Sequence, residues 1–163
     1  MPGSVSSIDK RALRDQLLAK LTAALETARA AHASAIEGAT HPEARAENDK
    51  DTRGLEQSYV ARGQAQRVAE LEAAVADLGA LELRTFGAQD RIALTALVTV
   101  EQGGDEVRYF LAPHGGGTVL GDRVQVVTPS SPIGRVLLGK RVDDEVELAV
   151  AGKVRDLVIV AVG

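Results

Sequence analysis

The chain has 163 residues, 19 Lys+Arg against 23 Asp+Glu for a formal net charge of -4, and 45% hydrophobic residues, the composition of an ordinary globular protein. Only 2% of residues are aromatic and none is Trp, so a flavin pocket, an aromatic cage or a base-stacking platform would lack its usual material. The absence of Cys excludes a disulfide framework, a zinc ribbon and a thiol nucleophile, and the acidic balance argues against wrapping nucleic acid by bulk charge.

The N-terminus has no apolar signal core, and no window approaches the ~20 apolar residues of a membrane span, so a cytoplasmic protein is expected. Composition is unevenly spread. Residues 1–80 hold 19 Ala and 4 Val, whereas residues 81–163 hold 15 Val and 11 of the 16 Gly. The expected domains are therefore a helical one over 1–80 and a strand-rich one over 81–163.

The first helix is expected to open with a capping box, Ser6 three residues before Asp9. Its apolar stripe runs Leu18, Leu21, Leu25 and Ala28 with Leu13 and Leu17 beside it, and ends near Gly38. A second stripe, Val68, Leu71, Val75 and Leu78, alternates spacings of three and four as a coiled-coil seam does and stops at Gly79. The two seams face each other only if the chain reverses between Gly38 and Gly54, where Gly-Ala-Thr-His-Pro lies. This gives an antiparallel helical hairpin that pairs with itself, hence a monomer. About 30 residues per arm at ~1.5 Å rise give a lever of ~45 Å, whose shape suits reach better than stability.

In the second half, Ile92, Leu94, Ala96, Val98 and Val100 alternate as one strand, followed by a Gly103-Gly104 turn and a strand over Val107–Leu111. A further strand is expected over Val119–Val127. Ser131 and Pro132 then supply an N-cap and an N1 proline to a short helix closed by Gly139. Glu145–Val150 and Val154–Val162 form a hairpin around Ala151-Gly152-Lys153. The expected fold class is α+β, with a small antiparallel sheet and one short helix following the coiled coil.

Three motifs have bland explanations. Gly134 through Lys140 matches most of a phosphate-binding loop, but Arg141 stands where a hydroxyl must hold magnesium, so a capped structural helix is expected. His114-Gly115-Gly116-Gly117 resembles an oxyanion loop that lacks its Gly-x-Ser-x-Gly elbow, and is expected to be a flexible connection. His32, His41 and His114 have no ligand-like spacing. The acidic group Glu43, Glu47, Asp49, Asp51 and Glu56 is concentrated where the hairpin turns. It is either a solvated, helix-breaking loop or a set of carboxylates offered to a magnesium ion held partly by a partner.

Ser131-Pro132-Ile133-Gly134-Arg135-Val136-Leu137-Leu138-Gly139-Lys140, followed by Asp144-Glu145-Val146-Glu147, resembles the Ser-Pro-Leu-Gly-Arg-Ala-Leu-Leu-Gly-Lys segment and following strand of bacterial GreA/GreB transcript-cleavage factors. Phe86-Gly87 resembles the opening of that family's second domain, and the order of the two halves is the same. The resemblance implies an FKBP-like C-terminal domain that docks on the rim of RNA polymerase, and a coiled coil that enters the secondary channel. There an Asp and a Glu at the tip support a magnesium ion shared with the polymerase active site, and the polymerase cleaves backtracked RNA. The factor is then not itself an enzyme, and nucleic acid is met only inside the elongation complex.

The tip departs from the family pattern Asp-Leu-Ser-Glu-Asn-Ala-Glu-Tyr-x-Ala. Anchored on Tyr59-Val60-Ala61, the family's Asp and Glu positions fall on Thr52 and Leu55. Asp51 and Glu56, each one residue away, are the expected assisting carboxylates, and Asp49, Asp51, Glu56 and then Glu47 the expected metal ligands. Ser131, Pro132, Ile133 and Gly134 are the expected docking residues. A divergent tip also fits an inhibitor that occupies the channel without promoting cleavage. A prolyl isomerase or chaperone is the rival from another class, but its aromatic-lined pocket would have to come from Phe86, Tyr109 and Phe110 alone.

Overall fold

In a computed structural model of the protein, residues 8–40, 52–121 and 123–163 are described. The fold divides into two compact units, one of Ala19–Ala76 and one of Met1–Leu18 with Asp77–Gly163.

The first unit is the paired part of two helices, α1 (Lys10–Thr40) and α2 (Thr52–Gly79). Leu25 and Ala28 of α1 and Leu71 of α2 are buried together, flanked by Leu21, Ala24, Val68 and Val75. All but Ala24 are expected seam residues, and the arms run antiparallel as a hairpin. Arg29 and Glu72 form a cross-helix ion pair at 3.1 Å on the seam's exposed edge. Such an exposed pair contributes about 0–1 kcal/mol, so the apolar seam holds the arms.

Asp9 caps helix α1. The Asp9 carboxylate accepts from the Arg11 amide at 2.9 Å and its carbonyl accepts from the Leu13 amide at 3.1 Å. Ser6 lies outside the described residues. Helix α2 begins at Thr52, so Gly54 falls within its first turn rather than ending the reversal. Among the described residues, no helix is long and apolar enough to cross a membrane.

The second unit is built on one six-stranded sheet: β1 (Leu97–Gln102), β2 (Asp105–Leu111), β3 (Val119–Leu120), β4 (Val124–Val127), β5 (Glu145–Val150) and β6 (Lys153–Val162), in the order β3-β4-β2-β1-β6-β5. All pairs are antiparallel except β2 with β4. The expected single strand over Val119–Val127 is two, folded back at Gly121 (φ 41°) and Arg123 (φ 65°). That reversal is what lets β4 lie parallel to β2.

The first strand is also shorter than the alternation suggests. Thr95 adopts φ 75°, a left-handed conformation that interrupts a strand and is strained for a β-branched residue. Ile92 instead exchanges backbone bonds with Gly139 and Lys140, both 2.8 Å. The core on the sheet's inner face gathers Val98, Val100, Tyr109, Leu111, Val127, Leu157 and Ile159, with Leu137 delivered by α3 (Pro132–Leu137).

Candidate functional site

The segment from Ser131 to Gly134, expected to dock on a partner, is built from the Thr128 carbonyl outward. That oxygen accepts from the Ser131 amide at 3.1 Å and from the Ser131 hydroxyl at 2.7 Å, while the same hydroxyl accepts from the Gly134 amide at 3.0 Å. Ser131 is therefore the N-cap of α3, in extended backbone geometry, and Pro132 follows where no amide hydrogen is needed. Gly134 is required by contact. A Cβ at this position would stand 1.9 Å from the Thr128 carbonyl oxygen. Ser131, Pro132 and Gly134 thus all have local structural reasons, and the segment presents exposed Pro132 and half-buried Ile133 to the outside.

Beside the segment lies a groove of about 200 Å³, whose lining includes Gly116, Gly117, Ser131, Pro132 and Ile133. Gly134 sits inside α3 and Gly139 (φ 78°) just past its end. The phosphate-loop-like sequence is accordingly a capped helix, without the loop-then-helix order that cradles phosphate.

Residues from the start of α1 and the end of α2 belong to the same unit as the sheet and pack against it. Leu17, fully buried, has its Cδ1 where a Cβ on Gly115 (φ 87°) would come within 2.6 Å. His114 and Asp77 approach at 2.6 Å, and the Gly121 amide donates to the Gln16 side chain at 2.9 Å. Within the glycine run after His114, expected as a connection from composition, Gly115 packs on Leu17 and Gly116 on Thr128, while Gly117 stands in open space. Lys10 is a second anchor. Its ammonium donates to the carbonyls of Arg84, of Thr95 at 2.8 Å and of Gly163 at 3.1 Å, and lies 4.9 Å from the Phe86 ring centre. Burial, and then the Arg84 guanidinium, bring its pKa down to about 8. Neither role has a sequence signal, because each depends on residues more than 30 positions apart.

Of the tip carboxylates, Glu43, Glu47, Asp49 and Asp51 lie outside the described residues. Glu56 is on α2 and exposed. Further along α2, Tyr59 and Val60 are 59% and 54% exposed, and Arg62 stacks 5.7 Å from the Tyr59 ring centre. Among the described residues, no group of three or more His, Cys, Asp or Glu side chains comes together to hold a metal ion. The three aromatics on which a proline pocket would depend are in the core: Phe86 and Tyr109 are 5% exposed and Phe110 0%.

Residues 87–163, which hold the whole sheet, α3 and the Ser131-to-Gly134 segment, match the family model described as transcription elongation factor GreA/GreB, C-terminal. This half of the chain is a GreA/GreB C-terminal domain. No curated protein sequence matches the chain. Among solved structures, it is similar to the GreA factor homolog 1 (Gfh1) protein of Thermus thermophilus, at 21% identity over 90% of this chain and 94% of that one, TM-score 0.40. Gfh1 of Thermus aquaticus is 23% identical over 88% and 91%, TM-score 0.40. The prokaryotic transcription elongation factor GreA/GreB from Nitrosomonas europaea is 18% identical over 66% and 91%, TM-score 0.36. The GreA/GreB domain contains the proposed docking residues Ser131, Pro132, Ile133 and Gly134, whereas the hairpin lies outside the matched span.

Proposed function

We propose that the chain is a Gre-type transcription factor that binds RNA polymerase through its GreA/GreB C-terminal domain and inserts its helical hairpin into the secondary channel. The single observation that carries this reading is the match of residues 87–163 to that domain. The helical hairpin that precedes it supports the same assignment, since it has the form a channel-entering arm needs. Ser131 to Gly134 form the docking segment, with exposed Pro132 and half-buried Ile133 as its contacts.

At the hairpin tip, Asp51 and Glu56 assist cleavage of backtracked RNA by the polymerase, and Asp49 and Glu47 stand next to them. The hydrolytic chemistry belongs to the polymerase, so this chain acts as a modulator rather than an enzyme. Magnesium, when shared with the polymerase active site, supplies a Lewis acid to that reaction. On this chain its ligands are drawn from Glu47, Asp49, Asp51 and Glu56, with the polymerase completing the set.

One observation favours a second reading. The register anchored on Tyr59 puts Thr52 and Leu55 where the family carries its acidic pair. A tip lacking that pair occupies the channel and slows the polymerase without stimulating cleavage. The two are separated by adding the protein to a backtracked elongation complex of its own polymerase and following release of the 3' RNA fragment. Stimulation that disappears in Asp51→Ala or Glu56→Ala establishes the displaced carboxylates. Binding with no stimulation establishes the inhibitor, and failure to bind removes the Gre-type function altogether.

A further inference from the structure

Strands β2 and β4 differ in length, and the difference leaves a notch in the sheet. β2 spans Asp105–Leu111, but the parallel β4 pairs only with its last part, from Arg108 opposite Val124 to Leu111 opposite Val127. Asp105, Glu106 and Val107 pair with β1 on one side, opposite Gln102, Glu101 and Val100. On their other side no strand runs among the described residues. A cavity of about 620 Å³ opens there, lined by Asp105, Glu106, Val107, Arg108 and Arg123. An unpaired strand edge offers backbone amides and carbonyls to an added strand, and at ~3.3 Å per residue this one is about 10 Å long.

The notch has a blind end. β4 occupies the same line from Val124 onward, and Arg123 stands just before it in a left-handed turn (φ 65°), its amide donating to the Gly121 carbonyl at 2.9 Å. An extended segment laid beside Asp105–Val107 must therefore stop, or leave the sheet, where β4 begins. Charge is graded along the same line: the acids Asp105 and Glu106 lie at the open end, the arginines Arg108 and Arg123 at the closed end. Neither arginine makes an ion pair among the described residues. Glu106 stands directly opposite Glu101, a like-charge pair that a basic side chain beside it would relieve.

We propose that this notch binds the C-terminal end of a partner polypeptide as an added strand parallel to β2, with its terminal carboxylate on Arg108 and Arg123. A blind end selects a chain terminus, and two unpaired guanidiniums select the carboxylate terminus over the amine. In parallel register the last residue lies beside Val107, which packs on the core, and the two before it lie beside Glu106 and Asp105. The ligand is therefore a segment that ends in two basic residues and an apolar one. A free inorganic anion would meet the arginines but leave the strand edge unpaired. The notch shares no lining residue with the groove beside Ser131 and Pro132, so this binding is independent of the polymerase contact proposed above.

The test adds the peptide Gly-Ser-Thr-Lys-Lys-Val, with a free C-terminal carboxylate or as its C-terminal amide, to the isotopically labelled full chain at low salt, followed by two-dimensional amide NMR. The free acid is expected to shift the amides of Asp105–Arg108 and of Arg123 and Val124, and to bind roughly tenfold more tightly than the amide. Arg108→Gln and Arg123→Gln, each checked for folding by far-UV circular dichroism, should weaken the acid by a similar factor and leave the amide unaffected. Replacing both peptide lysines by glutamate should also weaken binding. Equal binding of acid and amide, or no shift at these residues with millimolar free acid, would overturn the proposal. Inorganic phosphate that shifts Asp105–Val107 as much as the peptide does would overturn it in favour of a simple anion site.

Discussion

Replacing Gly134 by Ala sets two effects of opposite sign against each other. Gly134 lies within α3 with an ordinary helical φ, so helix propensity alone predicts that Ala stabilises the domain by about 0.5–1 kcal/mol. The added Cβ, however, would stand 1.9 Å from the Thr128 carbonyl oxygen, 2.8 Å from its carbon and 3.0 Å from the Ser131 hydroxyl. The first two are backbone atoms that cannot rotate away. Relief requires α3 to move off the turn, which stretches both hydrogen bonds of the Ser131 cap. Overpacking of this kind costs about 1–3 kcal/mol, and the loss of a cap about 1 kcal/mol more. The clash wins, for a net loss of roughly 2–3 kcal/mol. Urea unfolding followed by far-UV circular dichroism gives the change, read from the midpoint at constant slope. A variant as stable as the wild type, or more so, would refute the close approach and the reason given for glycine at this position.

Other substitutions probe the same framework. Ser131→Ala removes both bonds of the cap hydroxyl and should cost about 1 kcal/mol in the same unfolding assay, whereas Ser131→Asp, which restores an acceptor for the Gly134 amide, should recover part of it. Gly115→Ala places a side chain at φ 87° against the buried Leu17, and the backbone strain alone predicts a loss of about 1–2 kcal/mol. Lys10 predicts a pH dependence. With its pKa lowered from 10.5 to about 8, the unfolded chain holds a proton between these values that the folded chain has released, so this group's contribution to stability rises with pH across that window and is constant below it. The wild type minus Lys10→Met difference in urea midpoint should therefore rise from pH 7.5 to pH 10; a flat difference would contradict the half-buried ammonium.

Much of this fold is written locally. The heptad spacing of Val68, Leu71, Val75 and Leu78 needs no tertiary information, and neither does the Ser131-Pro132 start of α3, since both follow from geometry within a few residues. The failures share one physical cause: they are set by partners distant in the chain. Thr95 takes a left-handed conformation because its hydroxyl accepts from the Arg84 amide at 3.0 Å and its carbonyl from Lys10, neither of which can be read from the alternation around it. The parallel pairing of β2 with β4 depends on a reversal at Gly121–Arg123 that the apolar run Val124–Val127 hides. Glycines after His114 look like slack, yet Gly115 is where Leu17 packs. The Ser131-to-Gly134 segment was legible as a motif that starts α3. The convergence of Tyr109, Ile133 and Arg155 on one trough was not, because they meet only when β2, α3 and β6 are assembled.

The central claim is that the tip of the hairpin reaches the polymerase active centre. The chain has no Cys, so Glu56→Cys installs a unique thiol on an exposed position of α2, to which a chelated iron can be attached for local hydroxyl-radical cleavage. Incubated with its own RNA polymerase, the labelled protein is predicted to cut the large polymerase subunits at segments surrounding the active site. The same label at Val119→Cys, in the C-terminal domain, should cut only at the outer rim. Cleavage by the Glu56 label confined to the polymerase surface, or none at all, would contradict insertion of the hairpin.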